Sequence, residues 1–215
     1  MAGFDRTYWD LNYAEPNTMD CIGNASKHIK YIQSFFDLEE IDISSLIDLG
    51  AGYGHLFQKA LKAFMPYRSC AIEPSKYAFE KLSRRKLPLV ETSKCLVLNE
   101  DIEKWCQRKQ EKKQRYDLGL CTSVLQYLDE ETLKTILPVM ARRIKYLYLT
   151  VPTDLELDRQ ITDLDFNDTY ALRRSRDFYR SILAPHFTNI SSKIWESKYY
   201  YDEESTLFTD LVYRS

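Results

Sequence analysis

One glycine-rich segment, residues 44 to 56, constrains the fold of this 215-residue chain more than any other part of the sequence. A short apolar run closes on Asp48, and Gly50, Gly52 and Gly54 follow at alternate positions. This order predicts a strand, a tight turn and the start of a helix. Glycine suits such a turn because it lets a ligand approach the main chain closely. The turn amides and the helix N-terminus would favour a carboxylate or phosphate.

An acid two positions before a G-x-G-x-G repeat resembles the first motif of the class I S-adenosylmethionine (SAM)-dependent methyltransferases. Asp48, Gly50, Gly52 and Gly54 occupy its positions. The dinucleotide-binding fingerprint is spaced differently, as G-x-G-x-x-G. The resemblance implies that residues 50 to 54, Ala51 among them, hold the amino-acid end of SAM. A glycine-rich turn without a ligand is the alternative.

A second apolar stretch, residues 69 to 72, closes on Glu73, which lies 23 residues after Gly50. An acid about 20 residues after such a turn, at the tip of the second strand, accepts hydrogen bonds from ribose hydroxyls. Both groups should therefore meet one ligand at the carboxyl ends of neighbouring strands. The resemblance implies the ribose role for Glu73, and Pro74 matches a common continuation. The alternative is a surface acid that caps the next helix.

The resemblance also implies contacts with the adenine. Methyltransferases of this class often place an acid just past the third strand, predicted here at residues 94 to 98, to accept the adenine amino group. An apolar neighbour lies against the ring. Asp101 and Ile102 match these two positions. Asp101 could equally be the N-cap of the helix that follows.

The fourth predicted strand, residues 116 to 121, leads into Thr122 and Ser123. They match a polar pair beside the cofactor and acceptor in the family's small-molecule branch. The segment lacks the Asn-Pro-Pro-Tyr or Asp-Pro-Pro-Tyr motif, which argues against methylation of a base amino group. Catalytic residues stay unassigned: Tyr127 and His55 are weak candidates, and a polar residue in the first helical turn is the commoner reason for such a histidine.

The first 43 residues are predicted to form an aromatic arm and a lid helix, in one compact unit with a SAM-binding domain over residues 44 to 215. Apolar residues recur at helical spacing between residues 24 and 36, which predicts the helix. By the resemblance, Tyr8 and Tyr13 touch the methionine end of the cofactor. Simple packing of the arm on the domain is the alternative.

The complete pattern predicts an α/β fold. It is a seven-stranded, mostly parallel Rossmann-like sheet with helices on both faces and an antiparallel last strand. Alternating residues place the two closing strands at 189 to 199 and 207 to 213. The acid-rich segment 154 to 174 shows no regular period, and we expect it to be an insertion over the strand ends.

Charge and composition narrow the function. The formal net charge of -2 and a pI near 6.0 give no global attraction to nucleic acid or anionic membranes. The one basic run, residues 108 to 115, is typical of a solvated helix face, and a small RNA-binding patch is the alternative. Five cysteines without C-x-x-C spacing, and no secretory or membrane-spanning segment, predict a cytoplasmic protein. We expect no metal, since ligands at usable spacing are missing.

Together these features predict an enzyme that moves the methyl group of SAM to an oxygen or nitrogen atom of a small-molecule acceptor and releases S-adenosylhomocysteine (SAH). In-line displacement on a sulfonium needs alignment and exclusion of water more than fixed catalytic residues. The alternatives are a protein or RNA acceptor, a catalytically silent SAM-binding partner protein and, less favoured, a nicotinamide-dependent oxidoreductase. A monomer or homodimer is expected.

Overall fold

The computed structural model describes residues 4, 6–12, 22–108, 115–208, 212 and 214–215. The strands are β1 (Ser45–Leu49), β2 (Arg68–Ile72), β3 (Lys94–Leu98), β4 (Tyr116–Thr122), β5 (Ile144–Thr150), β6 (Phe187–Asn189) and β7 (Ile194–Ser197). The helices are α1 (Arg6–Asn12), α2 (Ala25–Leu38), α3 (His55–Phe64), α4 (Lys76–Ser83), α5 (Ile102–Gln107), α6 (Glu130–Arg143), α7 (Asp154–Leu164) and α8 (Arg176–Leu183). A 3₁₀ turn, Leu125–Tyr127, follows β4.

All seven strands form one sheet in the order β3-β2-β1-β4-β5-β7-β6. Strands β1 to β5 are parallel, and β7 runs antiparallel to both β5 and β6. The chain moves from β1 to β3 on one side and then returns to β4 on the other. This reversal beside β1 is where open α/β sheets bind ligands. The predicted fold is confirmed, including the antiparallel last strand.

Two apolar layers hold the helices against the sheet. Alternate residues of β1 face opposite layers: Leu46 packs with α2 and α3, whereas Ile47 and Leu49 pack with α5, α6 and α8. All five residues of β1 are buried, as expected for a central parallel strand covered on both faces. In the described residues, no helix has both the length and the apolar character needed to cross a membrane.

The closing strands begin earlier in the chain than the sequence predicted. β6 and β7 form a hairpin within residues 187 to 197, and Leu207 and Phe208 lie outside any strand. The predicted strand at 207 to 213 was therefore wrong over these two residues, and most of the rest lies outside the described residues. Phe208 is buried because its ring packs on Phe35 and Tyr146. The alternating pattern there reflects this single buried side chain.

The segment 154 to 174 is more regular than the sequence indicated, because it contains α7. This helix begins with a capping box in which both the amide and the hydroxyl of Thr153 donate to the Glu156 carboxylate, at 2.8 and 3.0 Å. Only Leu157 of α7 is buried, while Leu155 and Leu164 are exposed. The sequence does carry a helical signal here, because Leu157, Ile161 and Leu164 recur at helical spacing after the capping box.

Gly54 sets the packing of α3 against α4. It is the N-cap of α3 and has a φ of 77°, in the left-handed region. A Cβ at this position would lie 2.3 Å from Leu82 Cδ1, a buried atom of α4. Glycine is therefore required both by backbone conformation and by close approach.

We expect Gly54→Ala to lower the free energy of unfolding by about 2 to 4 kcal/mol, because it adds left-handed strain and a clash with Leu82. Urea denaturation of the purified variant measures this loss. Gly23→Ala, at an exposed position before α2, is the control and should cost under about 1 kcal/mol. Equal losses in the two variants would contradict the packing argument.

Candidate functional site

A cavity of about 780 Å³ opens at the carboxyl ends of the parallel strands, a size typical of small-molecule sites. Its wall contains most of the residues predicted from the sequence: Tyr8, Asp48, Gly50, Ala51, Gly52, His55, Glu73, Pro74, Ile102, Thr122, Ser123 and Tyr127. Gly54 and Asp101 are described but are not part of the wall. Tyr13 lies outside the described residues.

The glycine turn is anchored on the neighbouring strand. The amides of Gly50 and Ala51 both donate to the carbonyl of Ile72, at 2.9 and 3.0 Å. Gly50 has a φ of 83°, and a Cβ there would lie 2.5 Å from Val124 Cγ2. The amides of Gly52 and Gly54 also donate within the protein. The turn therefore offers a ligand a bare, close main chain, and most of its amides are not free to bind an anion.

Glu73 connects three strand tips. Its Oε2 accepts from the amide of Gly52 and its Oε1 from the amide of Ser75, each at 2.8 Å. Asn99, just after β3, donates from Nδ2 to the carbonyl of Glu73 at 2.8 Å. Each carboxylate oxygen keeps a second lone pair, so Glu73 can still accept hydrogen bonds from a ligand.

Asp48 is buried at the end of β1, and its Oδ2 has no hydrogen-bond partner among the described residues. Burial raises the pKa of Asp48 to about 8, and the nearby charge of Glu73 adds to the rise. Burial also raises the pKa of Glu73 to about 7, against the effect of its two backbone hydrogen bonds. A buried acid without a partner fits a ligand that brings a donor or a positive charge.

The N-terminal helix α1 covers the glycine turn through Trp9. The Trp9 indole donates to Ser75 Oγ at 2.9 Å, and its ring stacks on Tyr53 with centroids 4.8 Å apart. Its six-membered ring lies 3.4 Å from the position of a Cβ on Gly52. The arm thus packs on the domain, which is the alternative that the sequence left open, and it does so at the cavity wall.

Aromatic side chains close the other half of the cavity. Phe4 packs edge-on against both Tyr8 and Tyr127, with centroid distances of 4.8 Å. The hydroxyl of Tyr127 donates to Asp168 Oδ2 at 2.6 Å. Burial raises the pKa of Tyr8 to about 12 and also raises that of Tyr127. Both phenols therefore keep their protons near neutral pH, and neither is a ready general base.

His55 lies at the start of α3 with its Nε2 3.0 Å from Arg85 Nη2. A guanidinium can only donate, so Nε2 accepts and the ring proton is on Nδ1. Burial and the charge of Arg85 lower the pKa of His55. The ring is neutral and its basic nitrogen is already occupied by Arg85, so this arrangement does not favour His55 as a base.

Asp101 and Ile102, at the start of α5, have different surroundings. The Asp101 side chain caps the helix by accepting from the amide of Lys104 at 2.8 Å, and it also pairs with the Lys104 ammonium. Ile102 is buried and lines the cavity. The cap alternative considered for Asp101 accounts for its position.

Ser123 has a strained backbone at the cavity wall. Its φ of 53° is uncommon for a residue other than glycine, and its amide donates to the carbonyl of Thr150 at 2.8 Å. Strain of this kind is typical of functional sites, where the surroundings hold it in place.

Sequence reasoning missed several wall residues: Val124, Gln126, Pro152, Phe166 and Asp168. Gln126 comes three residues after Ser123 in the turn that follows β4. The sequence therefore placed it near the site but did not predict a role for it. Asp168 reaches Tyr127 across 41 residues of chain. Only the three-dimensional fold reveals such a contact.

The likeness of this chain to known proteins is one of fold. No protein-family model and no curated protein matches the chain. A SAM-dependent methyltransferase from Clostridium acetobutylicum superposes with a TM-score of 0.64 at 11% identity, over 89% of this chain and 96% of that one. The fold is that of the class I SAM-dependent methyltransferases.

Two further solved structures share this methyltransferase fold. Magnesium protoporphyrin IX methyltransferase from Synechocystis, with bound SAH, gives a TM-score of 0.57 at 15% identity over 89% of this chain and 92% of that one. A small RNA methyltransferase gives 0.61 at 13% identity, over 81% of this chain and 25% of that one. The names of these two proteins specify very different acceptors, magnesium protoporphyrin IX and small RNA. In the part of the chain described, no group of three or more His, Cys, Asp or Glu is placed to hold a metal.

We expect Asp48→Asn to flatten the pH dependence of stability. The folded pKa of Asp48, about 8, lies above its ordinary value, so wild-type stability falls as the pH rises from about 4 to 8. Asparagine stays neutral, so the gain of the variant over wild type should be larger at pH 8 than at pH 5. Urea denaturation at both values measures the difference.

The control for this experiment is Asp177→Asn, which removes an exposed carboxylate on α8. Its stability should follow the wild-type pH profile. An Asp48→Asn profile parallel to wild type would show that Asp48 is ionised without cost in the folded protein.

Proposed function

We propose that this protein is a SAM-dependent methyltransferase that binds its cofactor at the tips of β1 and β2. One arrangement carries the proposal: the glycine turn is joined to the Glu73 carboxylate, whose charge acts on the buried Asp48, and Asp48 Oδ2 lacks a partner among the described residues. This combination offers bare main chain, a ribose acceptor and a buried acid that a positive charge would ionise, all within one crevice. SAM needs all three, since it joins a nucleoside to a cationic amino acid.

Individual residues would hold SAM as follows. The free lone pairs of Glu73 accept the ribose hydroxyls, and the carboxylate of Asp48 faces the positive charge of the methionine end. Ile102 and Pro74 give the adenine an apolar surface. Trp9 and Tyr53 cover the glycine turn and exclude water. When bound, SAM supplies an activated methyl group on a sulfonium, and the chain's task is to align an acceptor with it.

The acceptor is a small molecule that is methylated on oxygen or nitrogen. The cavity volume of about 780 Å³ suits a cofactor together with a modest acceptor. A polynucleotide acceptor is less favoured, because the described wall residues include no lysine or arginine to contact phosphates. We assign the acceptor end to the turn after β4 and to residues 154 to 174, which we propose to be an insertion over the strand ends.

A cytoplasmic location and a monomeric or homodimeric state complete the proposal. The four described cysteines, Cys70, Cys95, Cys106 and Cys121, are free thiols. Burial raises the pKa of each of them, so none is activated as a nucleophile. These features suit a reducing compartment and a reaction without a covalent enzyme intermediate.

Cofactor class is tested by thermal unfolding with two nucleotides. At a concentration of SAH 100 times its Kd, the Tm should rise by about 5 to 10 °C, because SAH binds only the folded state. NADH at the same concentration should leave the Tm unchanged. Stabilisation by NADH without stabilisation by SAH would replace the proposal with an oxidoreductase. Binding of SAH with no turnover on any acceptor would favour a silent binding protein.

The ribose contact is tested by Glu73→Gln, a substitution of nearly equal shape. We expect the Kd for SAH to rise about 10- to 100-fold, the scale of a lost hydrogen bond to a buried charge, as measured by isothermal titration calorimetry. The matched control is Glu100→Gln, a buried acid paired with Arg108 at 2.6 Å and outside the cavity wall. Its Kd should stay within about twofold of wild type. Equal affinity in both variants would place the ribose elsewhere.

A further inference from the structure

The charge of the cavity wall is one-sided. Its described residues include five carboxylates, no lysine and no arginine; the carboxylates are Asp48, Glu73, Asp163, Asp165 and Asp168. Asp48 and Glu73 belong to the proposed cofactor site at β1 and β2. Asp163, Asp165 and Asp168 come from the end of α7 and the segment after it, on the acceptor side. SAM binding gives these three no role.

A buried amide on the same side also lacks a partner. Gln126 lines the cavity with 2% of its surface exposed, and its Oε1 has no hydrogen-bond partner among the described residues. A buried oxygen in this state costs stability unless a ligand supplies a donor. Independently of the acidic wall, Gln126 therefore indicates a ligand that brings an N–H or O–H group to this end of the cavity.

Aromatic faces complete the surroundings. Phe4, Tyr8, Tyr127 and Phe166 all line the cavity. Since the phenols of Tyr8 and Tyr127 stay protonated, these rings are neutral and electron-rich on their faces. Such faces attract alkylammonium groups. Carboxylates, an unpaired amide oxygen and aromatic rings thus all select for the same chemistry, a positively charged nitrogen that carries protons.

We propose that the methyl acceptor is an amine and that its nitrogen is the atom methylated. This inference rests on the proposed function and specifies its substrate class. The bound ammonium first gives one proton to water, and the lone pair of the resulting neutral amine then forms the new N–C bond, while the electron pair of the breaking S–C bond stays on sulfur. The positive charge thereby moves from sulfur to nitrogen, and the ammonium product loses a proton to water.

The charge transfer explains the placement of the acids. Carboxylates on the acceptor side stabilise the positive charge that develops on nitrogen in the transition state. An anionic acceptor, such as a carboxylate or phosphate, would meet like charge from Asp163, Asp165 and Asp168.

The inference is tested with two probes of similar size and opposite charge, phenethylamine and 3-phenylpropionate. Each is titrated calorimetrically into wild-type protein saturated with SAH, at neutral pH and low salt. We expect saturable binding of phenethylamine and at least tenfold weaker binding of 3-phenylpropionate. Equal or stronger binding of the carboxylate would overturn the amine assignment. So would the absence of phenethylamine binding by protein that does bind SAH, and in both cases the cofactor proposal would stand.

Substitutions in the cavity wall test where the amine binds. Gln126→Leu removes the unpaired oxygen and should weaken phenethylamine about tenfold. Asp165→Asn removes one wall charge and should weaken it about threefold; asparagine tolerates the φ of 51° at this position. Asp177→Asn makes the same charge change on α8, outside the wall, and should leave the affinity within about 1.5-fold.

SAH affinity, measured for all three variants, separates loss of the amine site from loss of the fold or the cofactor site. It should stay unchanged in each. A phenethylamine affinity that Gln126→Leu and Asp165→Asn leave unaltered would place the amine elsewhere and overturn the inference.

Discussion

The shape of the crevice depends on the Glu73 carboxylate. Its two oxygens bind the amides of Gly52 and Ser75, so a single side chain fixes the glycine turn and the start of α4 relative to each other. Asn99 holds the same residue by its carbonyl from the tip of β3. If Glu73 were lost, two amides would be left unpaired next to the cavity, which costs more than the net value of the hydrogen bonds themselves. The scaffold and the proposed ribose contact therefore use one group.

Asp48, in contrast to Glu73, is not explained by the stability of the fold. It is buried beneath the turn, its Oδ2 lacks a partner among the described residues, and its pKa is raised. For folding alone an apolar residue would serve better at the end of a buried parallel strand. Local choices that disagree with the rest of the fold are expected where function requires them. A cationic ligand resolves the conflict, because it pairs with the charge that folding disfavours.

The features that the sequence predicted correctly are those with a short-range signal. β3 was predicted at its observed bounds, and the glycine turn and Glu73 were predicted at neighbouring strand tips, where the Gly52 amide donates to Glu73. Strand, turn and acid each have a short-range signal. α7 was overlooked although Leu157, Ile161 and Leu164 recur at helical spacing, and the strand predicted near residue 207 arose from the isolated burial of Phe208. Most of the acceptor side could not be predicted. The Tyr127 contact with Asp168, for example, spans 41 residues, and no local pattern predicts it.

The strand order explains why cofactor and acceptor differ in predictability. The proposed cofactor half lies over β1, β2 and β3, where the turns after the strands are short and a few residues determine their chemistry. The proposed acceptor half is covered by Phe4, Tyr8 and the segment after β5, which have few buried residues and therefore little constraint from packing. Such segments can change composition without disturbing the sheet. Under the proposed function, the acceptor would therefore determine which carboxylates and aromatic rings these segments carry.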